Sequence, residues 1–486
     1  MKTKEIQMKR FQVVTILLVF LFGISIGGTT ELSLDDYLKE AINNHPLTQM
    51  AKAQYISVVK KNLSVQGLKD WNLFLSSTYS GGYGIDGSTT FEPKSTIFIN
   101  NAKISKIFTD TGTTIQIGGT YSSMKELPSM LGGSNYNIYG LNFELSVIQP
   151  LLKNTFGKLD RYPLKLAEFG NKLAEIKYAE DLEDLKVALS TDYLNWQFDY
   201  LSLKIYKEQL DQAVEQVSLI ERQLKSGVSE KIDLVQANQN LQAKKMAYLS
   251  ASEEFAKETI IINSRIGKPA LENGVYPSVE INSIKILPKD DAIKYFKKQS
   301  NIVKILNLTE DMQKETLAIS KSSLDPSLEL FYSKKLGSSE LSQEDTFNNV
   351  GKKSPYSIGI QFSTPIGNTA AISEYESSEQ ELIRIQKTNQ NTITDTINNI
   401  KALYSSIWYI DTQLDEIKKL ISLSQEYATL EEQKYKQGRS SIFFLLNSQG
   451  QILSTKLQEQ GLKYRKALLL NTLSAILDLD QNKGDQ

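Results

Sequence analysis

The chain has no cysteine and only one histidine among its 486 residues. Disulfides, thiolate metal sites and cysteine nucleophiles are therefore excluded. The lack of cysteine does not identify a compartment, because an oxidising compartment permits disulfides without requiring them. His45 precedes Pro46 at an expected helix break, and no oriented partner for general-base chemistry is evident near it. The sequence therefore predicts no catalytic residue, cofactor site or metal site, and the chain is not expected to be an enzyme.

An excess of charge of one sign is also missing, since the formal net charge is −1. A basic surface is the usual signature of nucleic-acid binding, so no nucleic-acid partner is expected. The paired acids Asp35/Asp36 and Asp290/Asp291 stand at expected helix starts. There they complement the helix dipole, which is a better explanation than a catalytic carboxylate pair.

Long apolar runs are confined to the N-terminus. Basic residues precede the run "FQVVTILLVFLFGISI", and small residues follow it, which is the order of a secretory signal peptide over residues 1–27. A single-pass anchor is the competing interpretation, but the run is shorter than the ~20 residues a spanning helix needs. Because no other segment qualifies as a spanning helix, insertion into a membrane would require β-strands.

Strand patterns are present in both halves of the chain. Along residues 139–147 and 356–363, apolar and polar residues alternate with period two. This alternation fits a half-buried sheet, and it also fits a transmembrane barrel strand. Four strong strands are predicted, at residues 71–84, 135–150, 326–335 and 355–367. An additional hairpin at about 95–121 has no assigned place: it lengthens the barrel, forms an extracellular loop or lies at the periplasmic surface.

The longest patterns are helical. From Leu159 to Ser226 apolar residues recur every three to four positions on two seams, typical of a helix with neighbours on both sides. If continuous, this helix is about 100 Å long. It stops at Gly227 and restarts at once, and the same break recurs at Gly438. Each glycine is expected to turn a helical hairpin, because glycine adopts the left-handed cap conformation at little steric cost.

These elements occur twice in the same order. The predicted organisation is a first repeat at 28–266 with its hairpin tip at Gly227, a linker at 267–288, a second repeat at 289–478 with its tip at Gly438, and a disordered polar tail at 479–486. Each repeat begins with a helix and carries strands before its hairpin. Trp196 and Trp408 lie within the long helices and are interpreted as seam residues.

Four strands in one chain are too few for a closed barrel, which needs about eight or more. An open sheet edge is not tolerated in lipid, so several chains must pool their strands. Pooled helices with two seams each would continue the lumen as a hollow tube, which predicts a duct. The alternative is a structural periplasmic coiled-coil protein with a small β-domain and no channel. The alternating strands favour the duct, because no helix of suitable length is left to cover them.

Four segments carry a resemblance to a known family. They are "LSLDDYLKEAINNHP" near the start, "LSVIQPLLKN" after a strand, and the two tips "LKSGVSEKIDLVQA" and "YKQGRSSIFFLLNS". In order, spacing and duplication the chain resembles the outer membrane efflux protein family, the TolC-like trimeric export ducts. The resemblance covers nearly the whole chain after the signal peptide.

The resemblance implies a mixed α and β membrane protein that forms a homotrimer. Its 12-stranded β-barrel, four strands per chain, would lie in outer-membrane lipid and continue into a long periplasmic α-helical barrel. The implied function is a passive exit duct of a tripartite efflux or type I secretion system. The implied partners are a periplasmic adaptor and an inner-membrane pump. The cargo, whether drug, metal or protein, is not indicated.

The resemblance also assigns adaptor docking and gating to the two tips. The residues concerned are Gly227, Val228, Ser229, Asp233, Gly438, Arg439, Ser440, Phe444 and Asn447. Asp233 lies where the first tip of the family usually carries an acid. Phe444 and Asn447 replace the acids that form a cation-selective ring in some relatives. Two alternatives therefore remain for the nature of the gate. It is either a ring formed by Asp233 alone or a hydrophobic constriction that closes by dewetting.

Overall fold

The computed structural model describes residues 30–83, 94–126, 136–269, 275–279 and 286–479. The expected signal peptide, parts of the expected linker and residues 480–486 of the expected tail lie outside the described residues. The described chain divides into two compact units. The helical unit comprises the described residues up to Lys52 with Tyr178–Val303 and those from Ile393 onward; the sheet unit comprises Ala53–Lys177 and Lys304–Thr392.

The described segments contain both expected types of element. The helices are α1 (Leu34–Asn44), α2 (Pro46–Ser64), α3 (Lys158–Lys225), α4 (Lys231–Arg265), α5 (Lys289–Gln299), α6 (Asn301–Ser323), α7 (Gln343–Asn348), α8 (Thr369–Lys436) and α9 (Ile442–Ile476). The strands are β1 (Thr30–Leu32), β2 (Asn72–Tyr83), β3 (Lys94–Phe108), β4 (Thr113–Glu126), β5 (Tyr136–Pro150), β6 (Val275–Pro277), β7 (Ser327–Glu340) and β8 (Tyr356–Ser363). Among the described helices, none has both the length and the hydropathy needed to cross a membrane.

The sheet unit contains one antiparallel sheet of six strands in the order β2-β3-β4-β5-β7-β8. The four predicted strong strands are present as β2, β5, β7 and β8, but the sheet has two strands more than the four per chain expected for the barrel. The additional hairpin forms β3 and β4 and lies between β2 and β5, with each of its strands paired to an outer neighbour. The alternation of apolar and polar residues in β3 is interrupted by the consecutive Asn100 and Asn101. The sequence therefore predicts this hairpin less strongly than the other strands. The expected 12-stranded barrel rested on four strands per chain and loses that basis.

The described chain contains two helical hairpins of equal dimensions. Helices α3 and α8 each have 68 residues, and helices α4 and α9 each have 35. A helix of 68 residues is about 100 Å long at 1.5 Å per residue. The expected continuous helix from Leu159 to Ser226 is thus present as α3.

A short N-terminal helix packs on each hairpin. Helix α1 places Tyr37 against Tyr193, with ring centroids 5.7 Å apart, and Trp196 lies 5.8 Å from Tyr193. Trp196 is fully buried, and its Nε1 donates a hydrogen bond to Thr259 Oγ1 at 2.9 Å, so its assignment as a packed residue is confirmed. In the second cluster Phe296 of α5 takes the corresponding place.

Trp408 behaves differently from Trp196. It is 62% exposed on α8, so the described part of this chain does not supply the packing expected for a seam residue. Its ring contacts Tyr409, which is 58% exposed. This pair leaves aromatic surface of α8 uncovered in the single chain.

Candidate functional site

The register of the sheet places most of its exposed large apolar side chains on one face, whereas Phe74 of β2, 59% exposed, lies on the other. Residues paired directly across antiparallel strands lie on the same face, and successive residues alternate between faces. One row through all six strands is Leu73, Ile104, Ile117, Leu145, Lys334 and Tyr356. The adjacent row, on the opposite face, is Asn72, Ser105, Gln116, Ser146, Ser333 and Ser357. We call these two sides the apolar face and the polar face.

The apolar face carries large side chains that nothing in the described chain covers. Leu75 of β2 is 67% exposed and Ile360 of β8 is 66% exposed. The other exposed members of this face are Leu73, Tyr79, Phe98, Ile104, Phe108, Ile117, Phe143, Leu145, Leu336, Tyr356, Ile358 and Phe362. An exposed apolar area that extends over six strands is far larger than the scattered apolar residues of an ordinary soluble surface.

The polar face carries hydrogen bonds between side chains of neighbouring strands. Asn101 Nδ2 donates to Ser76 Oγ at 3.2 Å, and Thr120 Oγ1 donates to Asn101 Oδ1 at 2.8 Å. The Ser333 and Ser357 hydroxyls are 2.8 Å apart. Groups of this kind suit contact with water, so the sheet has one side suited to lipid and one suited to water.

Both edges of the sheet are open. Strand β2 pairs only with β3, and β8 pairs only with β7, within the part of the chain that the structure describes. Exposed edge strands present unpaired backbone N–H and C=O groups. The edges therefore require a partner strand if the sheet enters lipid, where unsatisfied backbone groups cost several kcal/mol each.

The two helical tips have the same backbone structure. At the first tip the N–H of Gly227 donates to Leu224 O at 3.1 Å, and the N–H of Val228 donates to Gln223 O at 2.8 Å. Gly227 has φ of +79°. This pair of bonds defines a Schellman motif, which ends a helix at a residue in the left-handed conformation.

The second tip repeats this geometry. The N–H of Gly438 donates to Tyr435 O at 2.9 Å, and the N–H of Arg439 donates to Lys434 O at 2.8 Å. Gly438 has φ of +71°. A Cβ added at Gly227 or at Gly438 would meet no atom within 4 Å. The glycines are thus required by the backbone conformation and not by crowding.

Side chains join the two hairpins just behind the tips. Gln223 Oε1 accepts hydrogen bonds from Ser229 Oγ at 3.1 Å and from Tyr435 Oη at 3.2 Å. A hydrophobic cluster lies beside this contact and draws on α3, α4 and α9. Its buried members are Val217, Ile220, Ala237, Ile442 and Leu445. The tips therefore form one surface held together by both hairpins.

Large apolar side chains are exposed at the tips beside charged ones such as Lys231 and Arg439. Val228 is 74% exposed, Phe444 is 52% exposed and Phe443 is 55% exposed. The rings of Phe443 and Phe444 contact edge to face with centroids 5.6 Å apart. Phe443 was not among the residues assigned to this site from the sequence, and Ile232, 58% exposed on α4, was not either. Both lie within four residues of an assigned residue, so the same local pattern could have indicated them.

The polar residues assigned to the tips have local partners. The carboxylate of Asp233 accepts the N–H of Glu230 at 2.9 Å and so caps the start of α4. Ser440 Oγ donates to Glu431 Oε2 at 2.7 Å, and Arg439 donates to Gln437 Oε1. Asn447 is exposed on α9. The assigned residues thus lie at the two tips, and Asp233 has a structural role there in addition to any other.

A cluster of carboxyl groups was not predicted. Glu180 and Glu183 of α3 approach Asp478, which follows α9, with carboxylate oxygens within 4.8 Å of one another. Asp478 also accepts the N–H of Asn301 at 2.7 Å. Burial raises the pKa of Glu180 to about 7 and the pKa of Glu183 to about 8, and proximity to Asp478 adds to both shifts. Sequence reasoning missed this cluster because only the fold brings Asp478 beside α3.

The substitution Glu183→Gln is expected to stabilise the protein at pH 8 but not at pH 5. The pKa of Glu183 is raised from 4.5 to about 8, so the folded state holds more protons than the unfolded state between these values. Stability contributed by this group is therefore lost as the pH rises through that interval. Glutamine carries no charge and avoids the loss, which we put at about 1 kcal/mol because water still reaches the half-buried carboxyl.

Urea unfolding in detergent, followed by circular dichroism at pH 5 and pH 8, measures this difference. The matched control is Glu175→Gln, an exposed glutamate on the same helix, which should change neither value. An equal gain at both pH values for Glu183→Gln would contradict the prediction.

The same fold occurs in solved outer-membrane channels. VceC, an outer membrane protein of Vibrio cholerae, is 12% identical, with 91% of this chain and 95% of that chain covered and a TM-score of 0.66. The CmeC outer membrane channel of Campylobacter jejuni is 14% identical, with 91% and 85% covered and a TM-score of 0.64. The open state of the MtrE outer membrane channel of Neisseria gonorrhoeae is 14% identical, with 91% and 88% covered and a TM-score of 0.61. At these identities the likeness shows the fold, which is that of outer-membrane channel proteins.

Sequence comparison identifies the family. The family model described as outer membrane efflux protein matches residues 114–262 and 308–478, which is more than half of the chain. The chain belongs to the outer membrane efflux protein family, and the resemblance found in its motifs is confirmed. A search of curated proteins by sequence finds no match.

Proposed function

We propose that this protein is a passive export duct that spans the outer membrane as a homotrimer. The sheet would lie in the outer membrane and the helical hairpins in the periplasm. The observation that carries the proposal is the apolar face, whose large side chains are exposed on all six strands. Lipid is the surrounding that makes such a face favourable, and a polar opposite face suits a water-filled lumen.

The open edges support assembly from several copies. One chain offers six strands, fewer than the roughly eight that close the smallest barrels. Joining β2 of one copy to β8 of the next would satisfy the backbone groups of both edges. Three copies, as the family resemblance implies, would then close a common wall.

Exposed residues of helix α8 also support the proposal that several copies assemble. Leu420, Leu423, Tyr427 and Leu430 follow the three-to-four spacing of a coiled-coil seam, and all are between 41% and 61% exposed. A seam that is exposed in the single chain lacks the helix against which it should pack. A copy of the same protein would supply that helix in a ring, and the helices would continue the lumen as an α-barrel.

The equal hairpins support an internal repeat. Helix lengths of 68 and 35 residues recur in both halves, and both tips end in the same Schellman motif. Two repeats in each of three copies would place six similar tips in one ring.

That ring of tips is the proposed docking and gating end. Val228, Ile232, Phe443 and Phe444 are exposed apolar side chains at the tips, of the kind that a periplasmic adaptor could bury. An inner-membrane pump would then deliver cargo through the adaptor. The hydrophobic gate is better supported than an acidic ring. The carboxylate of Asp233 already caps helix α4, whereas the rings of Phe443 and Phe444 contact each other and are exposed.

Fractionation of bacterial membranes tests this function. The duct requires that the protein resist extraction by high salt and by alkaline carbonate, dissolve in detergent, and have the mass of three chains once purified. It should also conduct ions in planar bilayers. Release by salt alone as a folded monomer would instead support the coiled-coil protein with a small β-domain.

A further inference from the structure

We propose that the β3–β4 hairpin is part of the barrel wall, so that three copies close a barrel of eighteen strands. This inference rests on the proposed homotrimer. It departs from the twelve strands that the family resemblance implies, and it widens the part of the duct that lies in the membrane.

Pairing places the hairpin within the sheet. Strand β3 pairs with β2 from Asn72–Ser105 to Tyr83–Lys94, and β4 pairs with β5 from Thr114–Ile148 to Glu126–Tyr136. Strands β2 and β5 do not pair with each other. A hairpin attached to a loop outside the wall would leave β2 and β5 as direct neighbours, so this hairpin separates two strands that would otherwise adjoin.

The hairpin also shares the two faces of its neighbours. Phe98 and Ile104 of β3 and Ile117 of β4 lie on the apolar face and are exposed there. Asn101 and Thr120 lie on the polar face, where they are bonded to each other and to β2. A hairpin that rests in water on both sides would gain nothing from an exposed apolar face that is in phase with the rest of the sheet.

The strands are long enough to cross a bilayer. Strand β3 has 15 residues and β4 has 14. A tilted transmembrane strand needs about 9–11 residues. The hairpin therefore reaches across the apolar layer as completely as the 12 residues of β2 do.

The extra strands change the width of the duct. Barrel diameter grows roughly in proportion to strand number. With strands about 4.8 Å apart and tilted by about 40°, the backbone radius is about 12 Å for twelve strands and about 18 Å for eighteen. The sheet would then not be the part of the duct that limits cargo size.

The natural absence of cysteine makes this radius measurable. The variant Ser333→Cys places a single cysteine on the polar face of β7, and a nitroxide label there gives three equivalent spins in a trimer. Such spins lie at the corners of an equilateral triangle whose side is √3 times their radius. From the backbone radii, electron spin–spin distances of about 31 Å are expected for eighteen strands and about 21 Å for twelve, before a common correction for the label.

The matched control deletes Lys94–Glu126 from the labelled chain. This deletion leaves β2 and β5 antiparallel, with Leu73 and Leu145 still on the same face, so the shortened sheet can close with four strands per chain. We expect the distance in the full chain to exceed that in the deletion variant by about 10 Å, a difference that the label length does not affect. Equal distances in two well-formed trimers would overturn the proposal.

A second measurement is independent of the deletion variant. In the full-length protein, labels at Phe98→Cys and Asn101→Cys of β3 should differ in their surroundings. If β3 is a strand of the barrel wall, oxygen dissolved in lipid relaxes the spin label at position 98. A water-soluble nickel complex then relaxes the spin label at position 101. Access of the nickel complex to both positions would overturn the proposal while leaving the trimer intact. Purified protein that gives no spin–spin distance because it is a monomer would overturn the proposed function itself.

Discussion

Lysine in place of Ile358 and Ile360 is expected to remove the protein from the membrane fraction. Both side chains lie on the apolar face of the edge strand β8 and are 65% and 66% exposed. A lysine on the lipid face of a barrel costs about 2–4 kcal/mol near the middle of the bilayer. Two substitutions in each of three copies would place six charges in lipid, a total cost comparable to the whole stability of an ordinary domain.

The same strand supplies the control. Ser357→Lys and Gln361→Lys introduce the same charges on the polar face, where the proposed lumen is wet. We expect this variant to remain resistant to carbonate extraction and to form trimers, while the apolar-face variant is lost to the soluble, aggregated or degraded fraction. Normal insertion of the Ile358→Lys/Ile360→Lys protein would show that the apolar face does not meet lipid.

Serine in place of both Phe443 and Phe444 is expected to raise the ionic conductance of the reconstituted trimer several-fold. A constriction lined by apolar side chains excludes water and ions, and polar replacements allow it to fill. Both rings are exposed at the second tip, so their removal leaves the buried cluster behind the tips unchanged. The trimer should therefore stay folded while its closed state becomes conductive.

A substitution at the first tip distinguishes the two gates. Asp233→Asn keeps an oxygen that can accept the Glu230 N–H, so helix α4 should still be capped. With a hydrophobic gate this variant leaves conductance unchanged, whereas an acidic ring would lose its preference for cations. Single-channel recording in planar bilayers with a salt gradient measures both quantities. Unaltered conductance in the double phenylalanine variant, together with lost cation preference in Asp233→Asn, would establish the acidic gate instead.

Local features of the fold were predictable from the sequence because they depend on short-range chemistry. The turns at Gly227 and Gly438 need a left-handed residue, and the long helices have an unbroken three-to-four spacing. The alternating strands β5 and β8 are also plain in the sequence. In each case residues close in sequence decide the structure.

Features that join distant segments were not predictable in the same way. Strand order is set by pairing between segments, and the weak alternation around Asn100 and Asn101 hid the hairpin's place in the sheet. The carboxyl cluster depends on Asp478 reaching Glu183. At the tips, the sequence indicated Phe444, but the contact of Gln223 with Tyr435 required the two hairpins to be side by side.

The pairing of β5 with β7 bears on how the chain matures. Tyr139 of β5 pairs with Glu340 of β7, about 200 residues later, whereas β2, β3 and β4 each pair with the strand that follows next in the chain. Strands β2 to β5 can thus pair with one another as soon as they have been synthesised. The other edge of β5 stays unpaired until both helices of the first hairpin have been made. Such distant pairing is slow, and incomplete sheets aggregate readily. We expect newly exported chains to depend on a holding chaperone until β7 arrives.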